Sequence, residues 1–469
     1  MTELAYLTVA QAAERLRRRD LSPVEYVTAL LRRVDGLDGR LHSFVRLLPE
    51  QALAAARTAE AEIAKGAWRG PFHGIPTGLK DIVDLAGVPT TAQSRILLDN
   101  VAAADAAVTA SLKAAGAVIM GKMATHEFAC GGHTSFDTPF PPAVNPWKDG
   151  YFPGSSSSGP GAGLAAGFVA AAIGTDTGGS IRNPASACSL VGLKPTYGRV
   201  SRRGVMPLAY SLDHAGPMTR DVRDNALMLQ VIAGHDPADP GSVERAVPDY
   251  AAGLEAGVKG LRIGVVRHFY QQDSACDPEM LAAIEAAIAL YGKLGAEICD
   301  VALAPLADYG NCLTVILAAE SYAVHEKWLQ ERPQDYAVLT RQRLLQGAFV
   351  RASDYVQAMR WRGLLARELD AKFRDVDVLL TASSFDPPPP LASPEVGRVL
   401  ARQSRMPFNI SGHPAIAVPA GFSKAGLPLS FQLAGRYFDE AMLYRVARAY
   451  ERECGWHERH PDLTAAAAA

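Results

Sequence analysis

Residues 151–185 read YFPGSSSSGPGAGLAAGFVAAAIGTDTGGSIRNPA. The stretch opens on the serines Ser155 to Ser158 and closes on Thr175-Asp176-Thr177-Gly178-Gly179-Ser180. No charged residue stands between Gly150 and Thr175. Its Gly/Ala-rich middle predicts a buried, closely packed helix and strand that carry the two serine clusters. Ser180 follows two glycines, which suits a nucleophile because bare backbone lets a carbonyl approach closely. Successive N–H groups of a Gly-rich turn form a nest for a developing oxyanion.

A nucleophilic serine needs a base. The nearest histidines, His133 and His214, do not stand at a recognised triad spacing. The G-x-S-x-G elbow fails, because Gly154 to Ser158 ends in serine. No S-x-x-K occurs in the chain. Gly74-Ile75-Pro76-Thr77-Gly78-Leu79-Lys80-Asp81, however, is a short apolar strand pattern ending in lysine. A buried Lys80 would lose its proton readily and serve as a neutral amine base.

Further blocks stand in order with these. They are Asn145-Pro146-Trp147, Pro153-Gly154-Ser155-Ser156-Ser157, Gly178-Gly179-Ser180-Ile181-Arg182, Gly192-Leu193-Lys194-Pro195-Thr196 and Ser211-Leu212-Asp213-His214-x-Gly216-Pro217. Together with the Lys80 block they resemble the amidase signature family, over nearly the whole chain. The resemblance implies a Ser–cis-Ser–Lys triad. Ser180 would be the nucleophile, Ser156 the bridging serine after a cis peptide bond, and Lys80 the base. It implies oxyanion donors at the N–H groups of Thr177, Gly178, Gly179 and Ser180, and a substrate-lining segment at Ala129, Cys130 and Gly131. The sequence departs from the family where G-G-S-S-G-G reads Gly154-Ser155-Ser156-Ser157-Ser158-Gly159, followed by Pro160.

The 469 residues suggest about three domains on a soft length rule, whereas the resemblance implies a single domain over 1–469. Nearly half the residues are apolar, enough for a large core, and a net charge of −2 offers no basic footprint for nucleic acid. Six scattered cysteines without C-x-x-C read as small core residues of a reducing compartment, so a cytoplasmic location is expected. The first twenty residues lack the pattern of a signal peptide. The uncharged stretch is interrupted by Pro153 and Pro160 and its apolar core is too short to span a membrane.

Competing motifs are weak. Gly116 to Lys122 fits G-x-x-x-x-G-K, but Met123 replaces the hydroxyl residue of a phosphate loop. Gly161-Ala162-Gly163 with Gly167 lacks the strand and spacing of a dinucleotide fingerprint. His126-Glu127 and His133 have no second cluster to complete a metal site; neither metal nor cofactor is expected. Thr175, Asp176 and Arg182 are read as support for the nucleophile loop, Asp176 and Arg182 each through a charge-assisted bond that braces it, with direct substrate contact as the alternative. Asp213 and His214 are read in the same way, and a His214-based triad is the rival mechanism.

Along the chain, helices are predicted over 9–19 (capped by Thr8), from Ser22-Pro23 to about 34, and over 52–65. The segment 1–66 is thus expected to wrap the core as helices. Strands over 75–79 and 118–120 flank a helix over 106–115. Beyond a helix at 221–233 and a Pro/Asp/Gly loop at 235–248 come strands at 261–266 and 296–301, with a helix at 278–294 between them. A helical region spans 313–373, followed by strands at 376–381, 415–418 and 429–433 and a closing helix at 440–454. Strands alternating with helices imply an α/β fold, a large mixed sheet covered by helices on both faces. The region 240–400 is expected to vary and to shape the substrate tunnel, with aromatics such as Tyr322, Trp328, Tyr336 and Trp361.

The expected function is hydrolysis of a small-molecule amide, with an aryl or apolar acyl group, through a seryl acyl-enzyme. Carbamate or ester hydrolysis is one alternative. The resemblance supplies another, the A subunit of a tRNA amidotransferase, which passes ammonia to a partner. The partner expected is the amide itself, with a homodimer held open.

Overall fold

The computed structural model describes residues 2–131 and 134–463. His133 and the terminal alanines, 465–469, expected to fray, lie outside the described residues.

Eleven strands of the described residues join in one sheet. They are β1 Phe44–Leu47, β2 Pro76–Lys80, β3 Val118–Met123, β4 Ala171–Asp176, β5 Val191–Lys194, β6 His214–Thr219, β7 Arg262–Val265, β8 Glu297–Asp300, β9 Val378–Ala382, β10 Ala415–Phe422 and β11 Pro428–Ala434. Across the sheet they run β1-β3-β2-β4-β6-β5-β10-β11-β9-β7-β8. β2 is parallel to β3 and β4, β7 is parallel to β8 and β9, and the other pairs are antiparallel. The sheet is therefore mixed and helices cover both its faces, as the alternation of elements implied. β2, β3 and β4 are buried along their whole length, which is why they read as apolar runs rather than alternating ones.

Local signals explain the helix starts. Thr8 and Gln11 form a reciprocal capping box for Val9–Arg18. Ser22 accepts from the N–H groups of Val24 and Glu25, with Pro23 as the first residue of Pro23–Leu41. That helix runs on past the expected end near 34 because Val34 and Leu41 both keep a buried place on it. Asp221 caps Val222–Ile232 in the same way.

Two expectations change here. The segment 1–66 is not helices alone, since β1 pairs with β3 and adds a strand to the sheet. The region 240–400 is not only a cap: β7, β8 and β9 build one end of the same sheet. Its helices, Leu306–Glu331, Val338–Leu345 and Ala352–Lys372, pack on one another beyond that framework.

The topology sets the place of the site. β2 and β4 are adjacent and parallel, with Leu79 opposite Ile173. Their carboxyl ends therefore bring Lys80 beside Thr175 and Asp176. Open α/β sheets bind ligands outside the carboxyl ends of their parallel strands.

Candidate active site

Lys80 closes β2 with no solvent exposure. Its Nζ lies 2.7 Å from Ser156 Oγ and 2.7 Å from Thr175 Oγ1. Both partners are hydroxyls. Burial favours the neutral amine and pulls the Lys80 pKa down to about 7, against the opposing pull of the Asp176 and Asp213 charges.

Ser156 is held by the loop ahead of the helix Ser158–Ala165. The Ser155–Ser156 peptide bond is cis. Asn183 Oδ1 accepts from Ser155 N–H at 2.8 Å, and Ser156 O accepts from His126 N–H at 3.1 Å. Ser157 N–H donates to Ser180 O at 3.3 Å, which ties the first serine cluster to the second. Gly154 has φ +91° and a Cβ there would meet the Pro184 backbone at 2.3 Å, so only glycine fits. Pro160, a departure from the family pattern, falls in the first turn of the helix, where no intrahelical N–H donor is required. The Asn145-Pro146-Trp147 block braces the same loop. Asn145 Nδ2 donates to Phe152 O and Ala187 O, and Trp147 Nε1 donates to Cys188 O.

The second cluster turns around Asp176. Arg182 Nε and Nη2 donate to the two Asp176 oxygens at 3.0 and 3.1 Å. Burial alone would raise the Asp176 carboxyl; the Arg182 guanidinium outweighs it and holds the group below the usual carboxylate range. Arg182 is held in turn by Asn409 Oδ1 at 2.6 Å and Gln432 Oε1 at 3.0 Å, and Asn409 Nδ2 donates to Asp176 Oδ1 at 2.8 Å. Asp176 and Arg182 are thus bonded to each other as well as to the loop and to residues from the far end of the chain.

One expected oxyanion donor is otherwise engaged. Gly179 N–H donates to Asp176 Oδ1 at 2.7 Å, because φ +122° at this glycine turns its amide back toward the carboxylate. The N–H groups of Thr177, Gly178 and Ser180 make no hydrogen bond to described residues.

Ser180 opens on a cavity of about 570 Å³. Ala129, Cys130, Gly131, Thr177 and Gly178 share its wall. The far side comes from the helices at 306–331 and 338–345, through residues such as Leu313, Leu317, Leu339 and Arg343, with Met406 beside them. No aromatic residue of the described chain lines it. The aromatics expected to shape the tunnel sit elsewhere. Trp328 and Tyr336 pack around Phe128, behind the 129–131 segment, Phe349 and Trp361 face solvent, and the Tyr355 hydroxyl donates to Glu320. Nothing in their spacing marks which helix face each one occupies.

The rival readings find other partners. His214 Nδ1 lies 2.7 Å from Leu212 O and 3.1 Å from Asp176 O, and its Nε2 lies 3.2 Å from Lys194 Nζ. Burial keeps His214 neutral, and its ring nitrogens already face the backbone and a lysine rather than Ser180. Lys122 of the phosphate-loop mimic is buried against Asp81 at 3.1 Å. Glu127 accepts from Ser94 Oγ and from Ala337 N–H. Among the described residues no cluster of three or more His, Cys, Asp or Glu is arranged to hold a metal. Cysteines 130, 188 and 312 are buried as read, but Cys299 is exposed on β8. No helix is long and apolar enough to cross a membrane among the described residues.

Sequence reasoning missed Asn409, Gln432, Arg405 and Gln403, which reach the loop from the far end of the chain. Gln403 Nε2 donates to Gly178 O at 3.2 Å, and Arg405 O accepts from Arg182 Nη1 at 3.0 Å. No local pattern marks them.

A buried lysine bonded to a serine of a Gly/Ser loop, at the carboxyl ends of parallel strands in a large mixed sheet, narrows the class to serine-containing α/β enzymes. The Amidase family model matches residues 25–444, and the chain belongs to that family, the amidase signature enzymes its motifs resemble. An amidase of Pseudomonas putida is 44% identical over 99% of this chain and 100% of its own. In Geobacter metallireducens, the A subunit of glutamyl-tRNA(Gln) amidotransferase is 40% identical over 97% of this chain and 99% of its own. The solved structure of the peptide amidase from Stenotrophomonas maltophilia superposes with a TM-score of 0.87 at 30% identity, over 97% of this chain and 98% of that one.

Proposed function

We propose that the protein is an amidase that cleaves the carbon–nitrogen bond of a small-molecule amide through an acyl-enzyme on Ser180. The observation that carries this reading is the buried Lys80–Ser156 contact of 2.7 Å beside the cavity where Ser180 stands. As an ammonium, Lys80 donates to both hydroxyls. As a neutral amine it keeps a donor for Thr175 and turns its lone pair to Ser156. Lys80 then takes the Ser156 proton while Ser156 takes that of Ser180, and Ser180 Oγ attacks the carbonyl carbon. The negative charge that forms on the carbonyl oxygen is met by the N–H groups of Thr177, Gly178 and Ser180. Ser156 returns its proton to the leaving nitrogen, the C–N bond breaks, and water releases the acid by the same route in reverse.

The aliphatic wall of Leu313, Leu317, Leu339 and Met406 supports an apolar acyl group, and the lack of an aromatic wall among the described residues argues against a stacked aryl ring. Release of amine or ammonia from alkyl amides, aryl amides, carbamates and ureas tests this. Turnover of alkyl amides ahead of the others is expected, and a carbamate cleaved far faster than any amide would reassign the reaction.

The 40% identity to an amidotransferase component favours one second reading, that the chain works with partner proteins. Gel filtration of the pure chain, with an amide assay on the eluted peak, separates the two. Turnover by the chain alone, as monomer or homodimer, supports the free-standing amidase; turnover only with partner proteins supports the other.

A further inference from the structure

Asp213 takes no part in the steps above, yet every bond it makes leads to them. β4 and β6 pair antiparallel up to Asp176 opposite His214. One position further the same register sets Thr177 opposite Asp213, and there the backbone ladder ends because Thr177 begins the nucleophile loop. A side-chain bond takes over. Thr177 Oγ1 donates to Asp213 Oδ1 at 2.6 Å. Asp213 Oδ2 accepts from the N–H groups of Leu208 and Ala209 at 2.9 and 3.0 Å. The carboxylate thus spans two loops, and Thr177 and Leu208 both stand on the wall of the large cavity. Thr175, which accepts from Lys80, lines a second, small cavity of about 10 Å³ together with Thr177 and Asp213.

Charge adds to geometry. Two carboxylates act on Lys80, Asp176 at the end of β4 and Asp213 ahead of β6, and its contact partners are the hydroxyls of Ser156 and Thr175. Asp213 itself is opposed by Arg202, which is engaged with Asp239 at 3.2 Å. Burial raises the Asp213 carboxyl to about 6, so it is ionised where a neutral Lys80 works.

We propose that Asp213 is a positioning residue of the amide-cleaving site, anchoring the Thr177 hydroxyl so that the 177–180 loop presents its N–H groups, and placing a second negative charge on Lys80. The proposal rests on the acyl-enzyme reading above and deepens it. Asp213→Asn keeps the shape: its oxygen can still accept from Leu208 and Ala209, while its NH₂ can donate to Thr177 Oγ1. Only the charge and the direction of one hydroxyl change. Thr177→Val removes the anchor and keeps the carboxylate, which then lacks the hydroxyl that helps hold its pKa down.

The experiment is the pH profile of kcat/KM on the fastest simple amide of the panel, with near-ultraviolet circular dichroism to confirm folding. Asp213→Asn should move the acid limb down by about half a pH unit or more, because a carboxylate that favours the ammonium is gone. Thr177→Val should lower the plateau about tenfold, a fraction of what loss of a whole oxyanion donor costs, and move its acid limb less than Asp213→Asn does. An unmoved limb in Asp213→Asn, or an unchanged plateau in Thr177→Val, overturns the proposal. If Asp213→Asn does not fold, Asp213→Glu keeps the charge but displaces the carboxylate, and it must lower the plateau without moving the limb; an unaltered plateau is equally fatal. Ser180→Ala in the same assay keeps the two readings apart, since turnover by that variant defeats the acyl-enzyme reading itself.

Discussion

Lys80 and Lys122 stand on neighbouring strands and neither has any solvent exposure. In the β2–β3 register Lys122 is opposite Leu79, one position from Lys80. Their partners differ. Lys122 meets the Asp81 carboxylate at 3.1 Å and the Thr90 hydroxyl at 2.8 Å. Lys80 meets two hydroxyls and, among the described residues, no carboxylate. Burial lowers the pKa of both, but at Lys122 the contact charge of Asp81 pulls it back up. Burial therefore does not make a base. Burial without a carboxylate in contact does, because only then can the amine lose its proton without leaving a counter-charge behind.

The sharpest way to break this comparison is kinetic. Ser180→Ala should abolish acyl-enzyme formation, and Lys80→Ala should lower kcat/KM by at least roughly the 10²–10⁴-fold that loss of a general base costs. Lys122→Met, measured per folded molecule, should stay within a few-fold of the parent. Equal losses at the two lysines would erase the distinction, and near-normal turnover by Lys80→Ala would dismantle the proposed triad.

Stability should reverse the order. Lys122→Met leaves Asp81 buried without its counter-ion; removing one partner of such a pair costs about 3–5 kcal/mol. Urea unfolding should show that loss. A parent-like midpoint would mean that the ion pair contributes nothing to the fold.

The comparison also explains what the sequence makes legible. Lys80, Ser156 and Ser180 are recognisable because each sits in a block of Gly, Pro and Ser whose backbone needs those residue types, as Gly154 against Pro184 illustrates. Long apolar or periodic runs such as Glu440–Cys454 are recognisable for the same local reason. β1, β5 and β6 carry no local strand signal. They have four to six residues, and β6 carries Pro217 opposite Ile173, so neighbours rather than propensity hold them. Asn409 and Gln432 meet Arg182 across separations of 227 and 250 positions, and such contacts leave no local trace. The engagement of Gly179 N–H by Asp176 depends on one φ angle, which the motif does not encode.

The pH profile sharpens the comparison with a smaller effect. In the proposed mechanism the working form of Lys80 is the neutral amine, and burial pulls its pKa down to about 7. kcat/KM should hold above that pH and fall as pH drops through it, approaching tenfold per unit with the slope of a single titrating group. A limb centred near 4 would point to a carboxylate as the essential base.

The smallest effect separates the two lysines by stability alone. In the unfolded chain Lys80 titrates near 10.5, and in the folded chain at about 7. Below 7 both states hold the proton, so the fold carries the full disadvantage of a buried ammonium. Between 7 and 10.5 the unfolded chain binds a proton that the folded chain does not, so stability rises with pH. Lys80→Met has no such group. It gives up the bonds to Ser156 and Thr175 but no longer buries a charge, and it leaves no contact carboxylate unpaired. At pH 6 it should therefore be more stable than the parent by on the order of 1–3 kcal/mol, as when buried ionic groups give way to apolar ones. From pH 7 to 9 that advantage should shrink by on the order of 2 kcal/mol, following about 1.4 kcal/mol per unit. Denaturant melts of both proteins at pH 6, 7 and 9 measure it. A constant difference across the three would show that Lys80 enters and leaves the fold with the same charge, and the distinction between the two lysines would fail at its electrostatic root.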